Sequence, residues 1–276
     1  MQIVPVVRRM REILLASPRR FADETTMPVL DPGRGQTEKG IALAIARDDR
    51  HAKALLGGYR GILQCDGYAA YKTLAAAGDG LALAFCWSHV RREFIELAKG
   101  RTALIAGEKL QRIAAFYAVE AEVRGKSAEI LRPVRQAKSR PLVEALLAWL
   151  SAQFARLPGG SPTAQATRYA LNHRAGLVRF VEDGWIEADN NTVERAIRPI
   201  CLSRTNALFA SGDDGGARWA AVASLVETYK MNGANPQRYF TEIRTRLVKG
   251  WPNRRIDELM PWCWAEDEAT PSSAKP

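Results

Sequence analysis

The stretch GILQCDGYAAYKTLAAAGDGLALAFCWSHV, residues 61–90, decides the fold. GILQC (61–65) is a short apolar run that reads as a strand ending on Asp66, and LALAFC (81–86) reads as another. Strands separated by helical stretches imply an α/β sheet, with ligands expected beyond the C-terminal ends of the strands. Toward the N-terminus, 20–24 is a further candidate strand, DPGRG (31–35) a turn, and IALAIA (41–46) a strand closed by the charged run 47–50. HAKALLGGYRG (51–61) reads as a short helix ended by glycine. The first twenty residues place Val6, Met10, Ile13 and Leu14 on one side of an amphipathic helix. Their charges fall inside the apolar stretch, unlike those of a signal peptide.

Beyond Trp87 the apolar period becomes helical. Residues 88–99, 103–123, 141–157 and 163–181 each carry the spacing, with Leu142, Ala145, Leu146, Trp149 and Leu150 as one stripe. Leu157-Pro-Gly-Gly-Ser-Pro162 breaks two helices apart. WIEAD (185–189) looks strand-like and precedes a helix over 191–200. An apolar segment at 207–210 and the turn SGDDGG (211–216) lead into a helix over 217–231. The sequence NGANP (232–236) then sets off a helix over 237–248, the aromatic PWCW (261–264) and a polar tail expected to be disordered.

Composition narrows the function classes. The 276 residues have mean hydropathy −0.22 and no apolar run of the roughly 18–20 residues that a spanning helix needs. Cys65, Cys86, Cys201 and Cys263 are scattered without a CxxC pair, so neither a disulfide framework nor a structural zinc site is expected, and a reducing cytoplasm is. The net charge is +10, and it is unevenly placed: residues 87–180 hold 16 Lys+Arg against 7 Asp+Glu, the remainder 24 against 23. One basic segment in a nearly neutral chain points to a polyanion, nucleic acid first. A basic but merely solubilising helical surface is the alternative.

Three acids stand out: Asp23 on the first candidate strand, Asp66 at a strand end, and Glu194 in the first turn of a helix after the helical block. Asp48 and Asp49 are rivals for the first position, in a context that reads as a solvated strand end. Phosphoryl transfer on DNA uses hard divalent cations, which take carboxylate oxygens, and two of them about 3.5–4 Å apart can serve the attacking and leaving oxygens. Acids gathered that closely repel one another unless a cation is present.

The words FADET (21–25), LQCDGYAAY (63–71), CWSHVRREF (86–94), ADNNTVERAIRPI (188–200), NALFASGDDGG (206–216) and LVETYKMNGANP (225–236) follow in order. Together they resemble the insertion-sequence-66 family of bacterial transposases, DDE enzymes on a ribonuclease-H-like fold, over residues 17–264. The resemblance implies an α/β, ribonuclease-H-like mixed sheet with a large all-helical insertion and a small helical C-terminal piece. Its parts would be 1–86, the first half of the catalytic core; 87–184, the basic insertion; 185–232, the second half; and 233–276, the C-terminal element. Asp23, Asp66 and Glu194 become both catalytic residues and ligands of two Mg²⁺ or Mn²⁺ ions. His89, Arg91 and Arg92 would contact DNA phosphate or surround the metal, capping or packing being the alternative for His89. Asn190 and Asn191 would cap the glutamate helix or orient Glu194, and Arg195 and Arg198 would bind phosphate or pair with nearby acids.

The reaction implied is transposition: water cuts DNA at an element end, and the freed 3′-hydroxyl attacks target DNA. The partners would be those DNAs, further copies of the chain or accessory proteins, and no membrane. Two departures accompany the resemblance. The chain begins just before the first catalytic strand, and relatives carry an extra segment between Arg50 and His51, where an edge strand would lie. A catalytically inactive, shortened transposase that binds only DNA or other subunits is therefore the alternative reading.

Overall fold

The computed structural model describes residues 3–22, 26–31, 36–41, 56–78, 80–98, 103–191, 194–195, 198, 202, 213–232 and 235–263. In chain order the elements are α1 (Val4–Ala16), β1 (Arg19–Phe21), β2 (Thr26–Asp31), β3 (Gln36–Ile41), β4 (Gly61–Cys65), α2 (Ala69–Ala76), β5 (Leu81–Phe85), α3 (Trp87–Ala98) and α4 (Ala103–Glu122). They continue with α5 (Ala128–Val134), a π-helical turn (Arg135–Ser139), α6 (Arg140–Phe154), α7 (Pro162–Asn172), α8 (Arg174–Glu182), α9 (Asp213–Met231), α10 (Pro236–Val248) and a 3-10 turn (Asn253–Leu259). The chain divides into two compact units: 18–23 with 57–194, and 1–17 with 24–56 and 195–276. No helix among the described residues is long and apolar enough to cross a membrane.

The first unit is mixed α/β and mostly helical, around a three-stranded parallel sheet of order β1-β4-β5. Phe21 lies opposite Gln64, and Cys65 opposite Phe85. Leu63, Cys65 and Ala84 are fully buried, which explains why these strands read as apolar runs rather than alternating ones. Trp87 begins α3 at the end of β5. Its backbone N–H donates to Ala188 O (2.9 Å), its indole N–H to Leu177 O (2.9 Å), and its ring packs 5.0 Å from Phe116. Around it, Phe94, Ile113, Leu147, Leu150 and Phe180 close the core. Gly176 lets α8 approach β5: a Cβ there would overlap the Phe85 ring and stand 2.9 Å from Leu83 O.

Two cations are built into this unit rather than displayed on it. Arg135 is buried, pairs with Glu120 (2.6 Å) and donates to Phe180 O (3.2 Å) and Ile186 O (2.7 Å). Lys109 is fully buried, donates to Thr167 Oγ1 (2.6 Å) and lies over the Phe94 ring at 4.5 Å. Burial pulls its ammonium down to about 8.

The second unit packs α1, α9, α10 and the 3-10 turn around Val6, Met10, Leu225, Ile243 and Leu259. Tyr229 and Tyr239 stack at 3.9 Å, and the Tyr239 hydroxyl donates to Leu259 O (2.7 Å). β2 and β3 form an antiparallel pair with Thr26 opposite Ile41. Asn235, within the expected separator, caps α10 through Gln237 N (3.0 Å), with Pro236 at its first position.

Several expectations change. Leu14 is exposed while Val6 and Met10 are buried, because the core covers a narrower stripe of α1. The helix expected over 163–181 is two, broken at His173. WIEAD is a turn: Ile186 N donates to Asp183 O (3.1 Å), and Trp185 is exposed. The turn expected over 211–216 is helical from Asp213, and β2, β3 and α5 were not anticipated. The candidate strand over 20–24 is β1 as far as Phe21. Residues 32–35, 42–55 and 207–210, which hold most of the expected strand over 41–46 and the start of the expected helix over 51–61, lie outside the described residues.

Two substitutions test this packing. Gly176→Ala should destabilise the chain by about 1–3 kcal/mol in urea unfolding, since neither the ring nor the strand backbone can retreat freely. An unchanged midpoint would contradict the close approach. Lys109→Met should stabilise at pH 7 by about 1–2 kcal/mol by removing a buried ammonium, while Thr167 keeps its bond to Thr163 O (2.7 Å). The Lys109 ammonium titrates near 8 when folded and near 10.5 when unfolded, so the unfolded chain holds more protons between those values. Wild-type stability then rises from pH 8 to 10 and the variant's advantage shrinks. An advantage that stays constant over that range would be inconsistent with this burial.

Candidate functional site

The C-terminal ends of β4 and β5 lie side by side, because Cys65 and Phe85 are paired and Asp66 and Cys86 follow them. Asp66 is half-buried, and its Oδ1 accepts from Tyr68 N (3.0 Å), fixing the turn into α2. The segment after α8 returns to the same edge without forming a strand. The buried Gln64 side chain donates to Glu187 O (2.8 Å) and Asp189 O (3.0 Å) and accepts from Glu187 N (3.1 Å). A side-chain amide thus takes the place of a strand's ladder. Asn190 N then donates to Cys86 Sγ (3.3 Å), and Glu194 N to Asn190 O (3.0 Å), which starts a helical turn.

This route carries Glu194 to the first turn of α3. Its Oε1 is 3.7 Å from His89 Nδ1 and its Oε2 is 3.5 Å from Arg92 NH2. Donor atoms of Cys86, His89 and Glu194 all lie within 4.8 Å of one another, and Asp66 does not belong to that group. Glu194 Oε1 and His89 Nδ1 are buried without a hydrogen bond, as are both side-chain heteroatoms of Asn190. An orphaned carboxylate oxygen beside an orphaned imidazole nitrogen suits a divalent cation. Burial, above all, pushes the Cys86 thiol up to about 11, so at neutral pH it is a protonated neighbour.

The structure therefore brings together Glu194, His89 and Arg92, with Asp66 on the adjoining strand end. Arg91 is exposed on α3, and Arg195 and Arg198 are exposed and helical in the second unit. Asp23, Asp48 and Asp49 lie outside the described residues. The expected side-chain cap by Asn190 is not formed; its carbonyl serves the turn, and Asp189 Oδ1 accepts from Asn191 N (3.1 Å). The Asn191 side chain instead accepts from Ser88 Oγ (3.4 Å).

Around Asp66 stand residues that the sequence did not single out. The Tyr169 hydroxyl donates to Asp66 O. Gly67 has φ +94°, and a Cβ there would meet His173 Nε2 at 2.9 Å. His173 packs edge-on to Phe85 at 4.4 Å, with Nδ1 2.6 Å from Tyr169 O and Nε2 3.2 Å from Lys72 Nζ. A carbonyl only accepts, so Nδ1 carries the hydrogen and Nε2 receives one from Lys72. Burial, with Lys72 adding to it, holds this imidazole below its ordinary range, against the Tyr169 carbonyl and, less, Asp66. The only local signal was Gly67 itself, an unsubstituted residue directly after an acid.

Comparison with known proteins agrees with the local words. The family model described as "Transposase IS66 family" matches residues 1–218, and "IS66 C-terminal element" matches 224–262. The uncharacterized protein y4qI of Sinorhizobium fredii is 41% identical over 276 residues, covering 90% of this chain and 51% of the relative. From the same organism, y4jD is 34% identical over 291 residues (96% of this chain, 57% of the relative) and y4hP 31% over 301 (97% and 54%). The chain thus spans about half the length of the curated relatives it matches. Aligned lengths of 291 and 301 exceed the 276 residues present, so those relatives carry residues this chain lacks. No solved structure matches it. With one family model spanning most of the chain and a second covering its C-terminal part, the chain belongs to the IS66 family of transposases.

Proposed function

We propose that this chain carries the catalytic region of a DDE transposase on a ribonuclease-H-like core, with Asp23, Asp66 and Glu194 as the acids that hold Mg²⁺ or Mn²⁺. The observation that carries the reading is the return of the chain after α8 to the β4/β5 edge, where Glu194 lies against Cys86 and His89 beyond the end of β5, the strand paired with the one that Asp66 follows. The strand order β1-β4-β5, all parallel, supports it. So does the register, since Phe21 faces Gln64 and Asp23 and Asp66 each follow two residues later. Bound there, divalent cations would supply the positive charge that phosphoryl transfer needs at the attacking and leaving oxygens.

The chain's own residues then have separable tasks. Gln64 and Trp87 hold the segment that ends in Glu194. His89 and Arg92 flank the Glu194 carboxylate and orient it. The basic helices of 87–184 attract the DNA backbone, in part: Arg135 and Lys109 are spent internally, and Lys138, Arg112 and Arg140 face Glu122, Glu108 and Glu144. The second reading, an inactive subunit that still binds DNA or other transposase subunits, is favoured by the residues this chain lacks relative to its relatives.

The test is incubation of the full chain with supercoiled DNA carrying an element end and Mg²⁺ or Mn²⁺. Nicking is expected, reduced by at least about a hundredfold in Asp66→Asn and in Glu194→Gln. DNA binding without cutting in either metal would favour the second reading, and equal cutting by both variants would remove these acids from the chemistry.

A further inference from the structure

Lys72 is a cation with an unusual partner. Arg92 faces Glu194 and Arg19 pairs with Asp183 (2.6 Å), whereas Lys72 has no carboxylate partner among the described residues. Among the described residues its ammonium makes one hydrogen bond, to His173 Nε2. His173 is itself fixed on every side: 5% exposed, bonded to the Tyr169 carbonyl, and wedged between the Phe85 and Tyr169 rings. A flexible lysine gives up side-chain entropy to be held in one place. A neutral acceptor fixes that place without cancelling the charge. An ammonium has three donors, so two remain for something else.

The position says what that something is. Lys72 lies on the first turns of α2, one turn after the Asp66–Gly67 loop, and His173 touches that loop through Gly67. Gathered carboxylates repel a DNA strand, so a polyanion approaching them is helped by a cation at the rim of the acidic edge. We infer that Lys72 contacts a phosphodiester of the DNA strand that enters beside Asp66, and that His173 is the positioning residue that aims it. This rests on the transposase reading above. The break of the helical block at His173 then has a purpose, since it turns an imidazole out of a helix end and under the catalytic-side loop.

The experiment measures binding of the full chain to a labelled duplex of arbitrary sequence across a salt series. A phosphate contact is sequence-independent and contributes about one unit to the slope of log affinity against log salt. Lys72→Ala should lower the slope by about one and weaken binding about five- to tenfold near 0.1 M salt, and Lys72→Arg should restore most of the slope. His173→Gln, with Lys72 intact, should weaken binding in the same direction by a smaller factor. Thermal melting of each variant separates these effects from unfolding, and the exposed Lys249→Ala, in the second unit, serves as the comparison.

An unchanged slope in Lys72→Ala overturns the inference, as does a loss no larger than that of Lys249→Ala. A full effect in Lys72→Ala with none in a folded His173→Gln overturns the positioning role. Wild-type chain that binds no DNA at all would instead count against the transposase reading.

Discussion

Much of the first unit's arrangement depends on the amide of Gln64. It sits on the middle strand, buried, and bonds three times to the backbone of Glu187 and Asp189. That segment is no strand, so without the amide its polar groups would be buried unpaired at about 1–3 kcal/mol each. Arg135 holds the same segment at Ile186 O and Trp87 at Ala188 O. Three side-chain or helix-end anchors thus replace a strand of the sheet, and everything that follows, Asn190 against Cys86 and Glu194 against His89, is placed by them.

The helical block is accordingly a scaffold as well as a source of charge. α4, the π-helical turn and α8 meet at Arg135, whose guanidinium would be costly to bury without Glu120 and the carbonyls around it. α7 and α8 meet at His173 and press on the Gly67 turn from the other side. The block therefore reaches both strand ends of the acidic edge, through Trp87 and Ile186 at one and through Tyr169 and His173 at the other. Net charge in the sequence overstates the surface charge, because several of these cations hold the fold together.

What the sequence reveals follows from which forces are local. The strand at 81–85 is legible as an apolar run, and that at 61–65 because buried Leu63 and Cys65 flank the one amide of Gln64. The long helices are legible from their period, and the break at 157–162 from its Pro and Gly. The break at His173 has neither, and WIEAD imitates the alternation of a strand while its backbone is satisfied by a glutamine far away in the chain. Glu194 stands out only through the words around it, since an acid in a helix is ordinary. Tyr169, His173 and Lys72 carry no local mark at all; their places are set by contacts with the Asp66 loop that only the folded chain makes.

The account stands most directly on whether Asp66 and Glu194 serve one cation site. Binding of Mn²⁺ to the full chain, followed by loss of the free-ion electron paramagnetic resonance signal, measures this without any DNA. The account predicts that Asp66→Asn and Glu194→Gln each weaken binding by at least about tenfold, with the fold intact by circular dichroism. Weakening by Glu194→Gln alone, with Asp66→Asn binding Mn²⁺ as wild type does, would contradict it.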